Sequence, residues 1–174
     1  EKTADDAKGN RQEKNQIVLD AETITVAKDG KLDVKNTLTL EKNLTVQGIV
    51  NTAATDVKVI GSGDQATNNA VKVTVGVTDS THAGSVSLGK VTVGAGTADQ
   101  ANSLTVSVAN GASAQADSLD IAAEVKDKDG STTKNTAGKF VLASGKFNAG
   151  TLTNGGSVSI GDSGAATLTV SGTS

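Results

Sequence analysis

Cysteine, proline, methionine, tryptophan and tyrosine are absent from this chain, and phenylalanine occurs only at Phe140 and Phe147. Without cysteine there is no disulfide, thiolate metal site or cysteine nucleophile. Without proline every backbone position keeps its N–H, so nothing interrupts a hydrogen-bonded ladder. A compact globular core ordinarily relies on aromatics, each burying about 150–250 Å². Here the apolar content, 36% of 174 residues, is almost entirely Val, Leu, Ile and Ala, which suit a narrow interior of repeated layers. Positive charge is thin as well: one arginine, Arg11, scattered lysines and a net charge of −3. A nucleic-acid surface needs clustered Lys and Arg, and single-strand binders add stacking aromatics, so no nucleic-acid partner is expected. No run approaches the eighteen or so apolar residues of a transmembrane segment. The opening Glu1-Lys2-Thr3-Ala4-Asp5-Asp6 has no signal-peptide pattern, and the expectation is a mature product or an excised piece.

What the chain does have is period-2 alternation. Residues 1–15 are charged and read as an N-terminal tail, or at most a short polar helix capping the first strand. From Gln16 onward, pairs of apolar residues stand at i and i+2: Ile17/Leu19, Ile24/Val26, Leu32/Val34, Leu38/Leu40 and Leu44/Val46. Each pair puts two side chains on one side of a strand. Successive pairs begin 7, 8, 6 and 6 residues apart, too close for ordinary hairpins. Three such units make a coil of about twenty residues, the repeat of a β-solenoid. The unit recurs at Val57/Val59, Val71/Val73/Val75, Val86/Leu88, Val91/Val93, Leu104/Val106/Val108, Leu119/Ile121, Phe140/Leu142, Val158/Ile160 and Leu168/Val170, with polar connectors such as 61–70 and 126–138 between. Residues 112–125 are a weak helix candidate, but Leu119/Ile121 keep period 2 and the segment reads as loop and strand.

The expected fold is therefore all-β: a parallel β-helix of short strands forming one elongated domain over residues 16–174. About eight coils would give a rod roughly 40 Å long. The rival is a β-sandwich or a tandem of immunoglobulin-like modules. The missing core Trp or Tyr and the missing turn prolines weigh against it. Such a rod has two open ends, each a template for further pairing. Residues 1–15 are a candidate cap at one end. The other stops in strand texture at Leu168-Thr169-Val170, as a cut piece or a subunit contact would.

Stretches such as Gly30-Lys31-Leu32-Asp33-Val34, Gly84-Ser85-Val86-Ser87-Leu88 and Gly156-Ser157-Val158-Ser159-Ile160 join short L/V/I-x-V/L strands to Gly-, Asn- or Asp-rich corners. Over about residues 16–172 this texture resembles the β-helical passenger regions of bacterial autotransporter adhesins and haemagglutinin-like surface proteins. The resemblance implies display on a bacterial cell surface or outside the cell, a rod-like shape, and adhesion or self-association. A surface-layer or filament subunit resembles the texture nearly as well. The expected partners are a host receptor, a glycan, a neighbouring cell surface, or another copy joined end to end.

Residues that could carry chemistry are few. His82 lies in a local Asp79-Ser80-Thr81-His82 stretch with Ser85 nearby, whereas triad partners converge from separate elements, so a loop histidine is expected. Asp127-Lys128-Asp129-Gly130-Ser131 hints at a calcium loop but lacks the further oxygen ligands and terminal glutamate, and Asp-Gly is a common turn dipeptide. The GSGD at 61–64 and GDSG at 161–164 lack the repeat of calcium-binding β-rolls. Asp20, Asp33 and Asp120 adjoin core residues and point outward. A polysaccharide-active β-helix enzyme is the second alternative, but a glycosidase needs two carboxyls about 5 to 9 Å apart, usually with aromatics to hold sugar rings, and these acids are read as solvated strand-face residues. Asn43-Leu44-Thr45 is a sequon to which no role is attached. No catalytic, cofactor or metal residue is assigned, no cofactor is expected, and the chain is read as a non-enzyme.

Overall fold

The computed structural model describes residues 10–13, 16–19, 23–41, 43–59, 70–76 and 84–172. They form an all-β chain, a parallel β-helix whose main sheet has fourteen strands. Strand β1 (Asn10–Glu13) lies antiparallel on β2 (Gln16–Leu19), and every other pairing described in that sheet is parallel.

Each coil has three faces. The first coil is β2, β3 (Thr23–Val26) and β4 (Lys31–Asp33); the second is β5 (Thr37–Leu40), β6 (Asn43–Val46) and the start of β7 (Ile49–Val59). The third takes the end of β7, β8 (Ala70–Val75) and the start of β9 (Ser85–Val93). The fourth takes the end of β9, β10 (Ser103–Val108) and the start of β11 (Ser113–Ile121). After the end of β11 and an outlying antiparallel hairpin, β12 (Val125–Lys126) with β13 (Thr133–Asn135), strand β14 (Lys139–Asn154) supplies both remaining faces of the fifth coil. The sixth is the end of β14, β15 (Ser157–Ile160) and β16 (Ala166–Val170).

The register aligns the i, i+2 pairs into columns. Leu38, Val57, Val91, Leu119 and Leu152 stack on the first face. Ile24, Leu44, Val73, Val106, Leu142 and Ile160 stack on the second. Leu32, Val50, Val86, Ala114, Phe147 and Leu168 stack on the third. A lone coil leaves such side chains wet, whereas stacking buries them, worth about 1.5–3 kcal/mol per Val, Leu or Phe. The middle of the stack is dry, and the last coil is not: Leu142 is 0% exposed, while Ile160 above it is 49% exposed and Val170 is 38% exposed.

Three expectations are modified. Fewer coils stack than the expected eight, because the connectors of the middle coils consume chain. The strands are also longer than expected, since β7, β9 and β11 turn the corner from third to first face without leaving the sheet. Strand β14 turns two corners, and Gly145 permits the first: its φ is +81°, and a Cβ there would lie 2.1 Å from Val108 O. Thirdly, residues 10–13, expected as tail or polar helix, are a strand, because the outer edge of β2 offers unpaired backbone groups. Inside the stack Thr52 is fully buried, and its Oγ1 accepts the Gly89 N–H at 3.3 Å.

Candidate functional site

The coils differ most at the corner between the first and second faces, although the third coil also carries residues 76–84 between its second and third faces. The second coil crosses it with residues 41–42 and the sixth with residues 155–156. The third, fourth and fifth coils instead carry residues 60–69, 94–102 and 122–138 at that corner. Because a parallel stack places equivalent corners above one another, residues 94–102 and 122–138 emerge on one edge of the rod. In repeat folds such insertions map to one side, which is often the binding side. Residues 60–69 lie outside the described residues.

The two described connectors brace each other. Within 94–102, the Thr97 N–H donates to Gln100 O at 2.9 Å, and the fully buried Asn102 donates its Nδ2 to Ala95 O at 2.9 Å. Between the connectors, Gly96 N–H donates to Thr136 O and Thr136 N–H to Thr97 O, each at 2.8 Å. Asn135 Nδ2 reaches Gly96 O at 2.8 Å and Thr136 Oγ1 reaches Ala98 O at 3.0 Å. The hairpin β12–β13 thus stands on a hydrogen-bonded base and projects an ordered arm.

At the arm's tip the turn organises itself around Asp127. Its N–H donates to Thr132 O at 2.9 Å, Gly130 N–H returns to Asp127 O at 3.1 Å, and Gly130 supplies the required φ of +72°. Asp127 Oδ1 accepts the Ser131 N–H at 3.0 Å and Oδ2 the Ser131 hydroxyl at 3.4 Å. A side-chain hydrogen bond with Asp129, with help from Thr132 and Ser131 donors, holds the Asp127 carboxyl at about 2, below its usual 3.8. Nearby, Thr133 Oγ1 donates to Glu124 at 2.6 Å and Lys126 sits 3.7 Å from Glu124. Lys128, Asp129 and Ser131 are exposed, as is Val125 at 44%. The arm therefore offers charges of both signs, hydroxyls and one apolar contact. That set can recognise a polar partner, but it holds no activated nucleophile.

The remaining sequence candidates are dispersed. Asp33, on the third face, is paired with Lys31 at 2.9 Å, and that hydrogen bond draws its carboxyl below the ordinary value. Asp120 is on the first face of the fifth coil, 3.5 Å from Lys90. The two acids sit on different faces and in different coils, so the fold does not bring them together. Asp20, Asp79, Ser80, His82 and residues 61–64 lie outside the described residues, while Ser85 opens β9. Both Asp127 oxygens serve their own turn, and no group of three or more metal-type ligands occurs among the described residues. In residues 161–164, Asp162 accepts the Ser159 hydroxyl. Asn43 Oδ1 accepts the Lys72 N–H at 3.0 Å within the sheet.

The alternation predicts ladders of Thr and Ser on the outer faces; on the third face the outward polar ladder is instead the mixed set Asp33, Asn51, Ser87, Gln115, Asn148 and Thr169. Ser113 donates to Ser85 at 3.1 Å and Gln115 to Ser87 at 3.2 Å along it. At the corner between second and third faces lies an open groove of about 770 Å³, lined by Thr74, Ser107, Asn110, Ser144, Lys146 and Thr167 among others. The signal for the arm was in the sequence, as the long polar connectors, but their shared corner emerges only from the register. The chain matches no protein family, and no curated protein or solved structure is similar to it.

Proposed function

We propose that this chain is an extracellular structural and adhesive segment, a rod displayed on a bacterial surface that holds a recognition arm away from its side. The observation carrying this proposal is the bracing of residues 94–102 against 122–138 on one edge of the stack. A connector that only returned the chain could be as short as residues 155–156. The partner would be a receptor or glycan rich in hydrogen-bonding groups, matching the tip's lysines, acids and hydroxyls. Surface location rests on the resemblance of the strand texture to autotransporter-type passengers. No catalytic role is proposed.

The test compares the labelled chain with a variant whose residues 122–138 are replaced by Gly-Gly, the corner of the sixth coil. Both are applied to a glycan array and to cultured epithelial cells. Binding that disappears in the variant while the β circular-dichroism spectrum persists supports the proposal. Equal binding by the two, or none by either, sinks it. The pair Lys128→Ala and Asp129→Ala separates loss of tip chemistry from loss of the base.

One observation favours a second reading, a self-assembling subunit joined end to end. The sixth coil leaves Ile160 and Val170 substantially exposed beside the outer edges of β15 and β16. Electron microscopy over a concentration series distinguishes lengthening fibres from short single rods.

A further inference from the structure

The sequence contains four Asx–Gly pairs: Asp29–Gly30, Asn110–Gly111, Asp129–Gly130 and Asn154–Gly155. Glycine lacks a Cβ, so the amide nitrogen of such a pair can swing toward the preceding side-chain carbonyl carbon. Whether it does depends on what holds that nitrogen.

Three of the four are held. Gly30 N–H donates to Ala27 O at 2.8 Å, Gly130 N–H to Asp127 O at 3.1 Å, and Gly155 N–H to Ile121 O at 2.8 Å. Asn154 is tied at the side chain too, its Oδ1 accepting the Gly156 N–H at 3.2 Å. Gly155 also packs against Ala123 so closely that a Cβ would lie 2.8 Å from the Ala123 nitrogen.

Asn110–Gly111 differs at each point. The pair forms the centre of the turn Ala109–Ala112, closed by the Ala112 N–H to Ala109 O at 3.1 Å, with Gly111 at φ +83°. In a turn with positive φ at its third residue, the amide of that residue points away from the closing bond. No described residue accepts the Gly111 N–H or binds the Asn110 side chain. Both residues are exposed, and the space around Gly111 is open to 4 Å.

We infer that Asn110 is a site of self-modification, at which the chain deamidates through a cyclic imide. The Gly111 nitrogen, losing its proton, bonds to Asn110 Cγ. The Cγ–Nδ2 bond breaks and ammonia leaves, closing a five-membered succinimide. Water then opens either imide carbonyl, giving aspartate or isoaspartate. The net change is water consumed and ammonia released, with no oxidation or reduction. The new carboxylate lies on the groove that Lys146 also lines, so the modification adds an anion to a groove whose lining holds that cation. The isoaspartate product additionally lengthens the backbone of a turn between the second and third faces.

The experiment incubates the purified folded chain in mildly alkaline buffer made with ¹⁸O-water, then maps peptides by mass spectrometry. The same incubation in denaturant serves as the reference. Unfolded, Asn110 and Asn154 should convert at similar rates. Folded, label should enter position 110 at least about tenfold faster than position 154, because the Gly155 amide must first open locally. Asn110→Gln, which would need a six-membered ring, should remove the early label. Equal folded rates at the two sites, or faster labelling at Asn154, would overturn the inference. So would a folded Asn110 that stays unlabelled while the denatured chain converts.

Discussion

Phe140 and Phe147 face each other across the interior of the fifth coil, ring centroids 5.6 Å apart and planes tilted by 56°. Both belong to β14, one on the second face and one on the third, and both are buried. Phe147 sits in register with Ala114 of the preceding coil, so a large side chain is accommodated over a small one. Phe147→Ala should lower unfolding free energy by about 3–5 kcal/mol. Ala114→Leu should overpack the same layer and cost about 1–3 kcal/mol. Urea titration checks both, and a Phe147→Ala cost near zero would show that the layer is not packed this way.

Gly145 and Gly130 share a positive φ but differ in surroundings. At Gly145 a Cβ would press on Val108 O, whereas at Gly130 it would meet nothing within 4 Å. Gly130→Ala should therefore cost only the left-handed strain, about 1–2 kcal/mol, confined to the arm. Gly145→Ala adds a backbone clash at the bend of β14 and should lower the midpoint of the whole rod. Similar midpoints for the two variants would contradict the close approach at Gly145.

The tip of the arm should respond to acid. The Asp127 carboxyl is depressed from 3.8 to about 2, first by the Asp129 hydrogen bond and then by Thr132 and Ser131 donors. A depressed carboxyl contributes order that is complete above the unfolded value and is lost as pH falls through the folded one. Exchange protection of the Ser131 amide should accordingly be full above about pH 4 and decline toward pH 2, while the stack's amides remain protected. Asp127→Asn should flatten this dependence. A Ser131 amide indifferent to pH over that window would refute it.

Within one column, Leu142 and Ile160 are neighbours in consecutive coils but differ in exposure, 0% against 49%. Leu142→Ala should cost about 2–5 kcal/mol, as buried truncations do, and Ile160→Ala well under half as much. Equal costs would mean that Ile160 is covered in solution, which is what end-to-end association requires. Repeating the measurement at several protein concentrations separates the two cases.

Much of the stack was legible because Leu38/Leu40, Leu44/Val46 and Val91/Val93 alternate with polar residues, and a period of two states which side is buried. Ala114/Ala116 were not read as a core pair, since alanine suits either state and their segment also suggested a helix. Phe147 and Ala149 escaped because the bend at Gly145 breaks the alternation begun at Phe140. Thr52 is a polar residue inside, satisfied by a backbone group that no local pattern reveals. The arm was visible only as polar connectors. Its meaning depends on which corners coincide, and that is set by long-range register rather than by neighbours in the chain.

The corner spanned by residues 155–156 in one coil and 122–138 in the one before it divides the molecule into two kinds of text. The strands must keep phase, for a single-residue slip would turn every inward side chain outward. That corner is held by the bonds between its own connectors rather than by strand phase, and doubling a flexible loop costs only about 0.6 kcal/mol in closure entropy. Shape is thus inherited through the faces, while vocabulary is written at the corners.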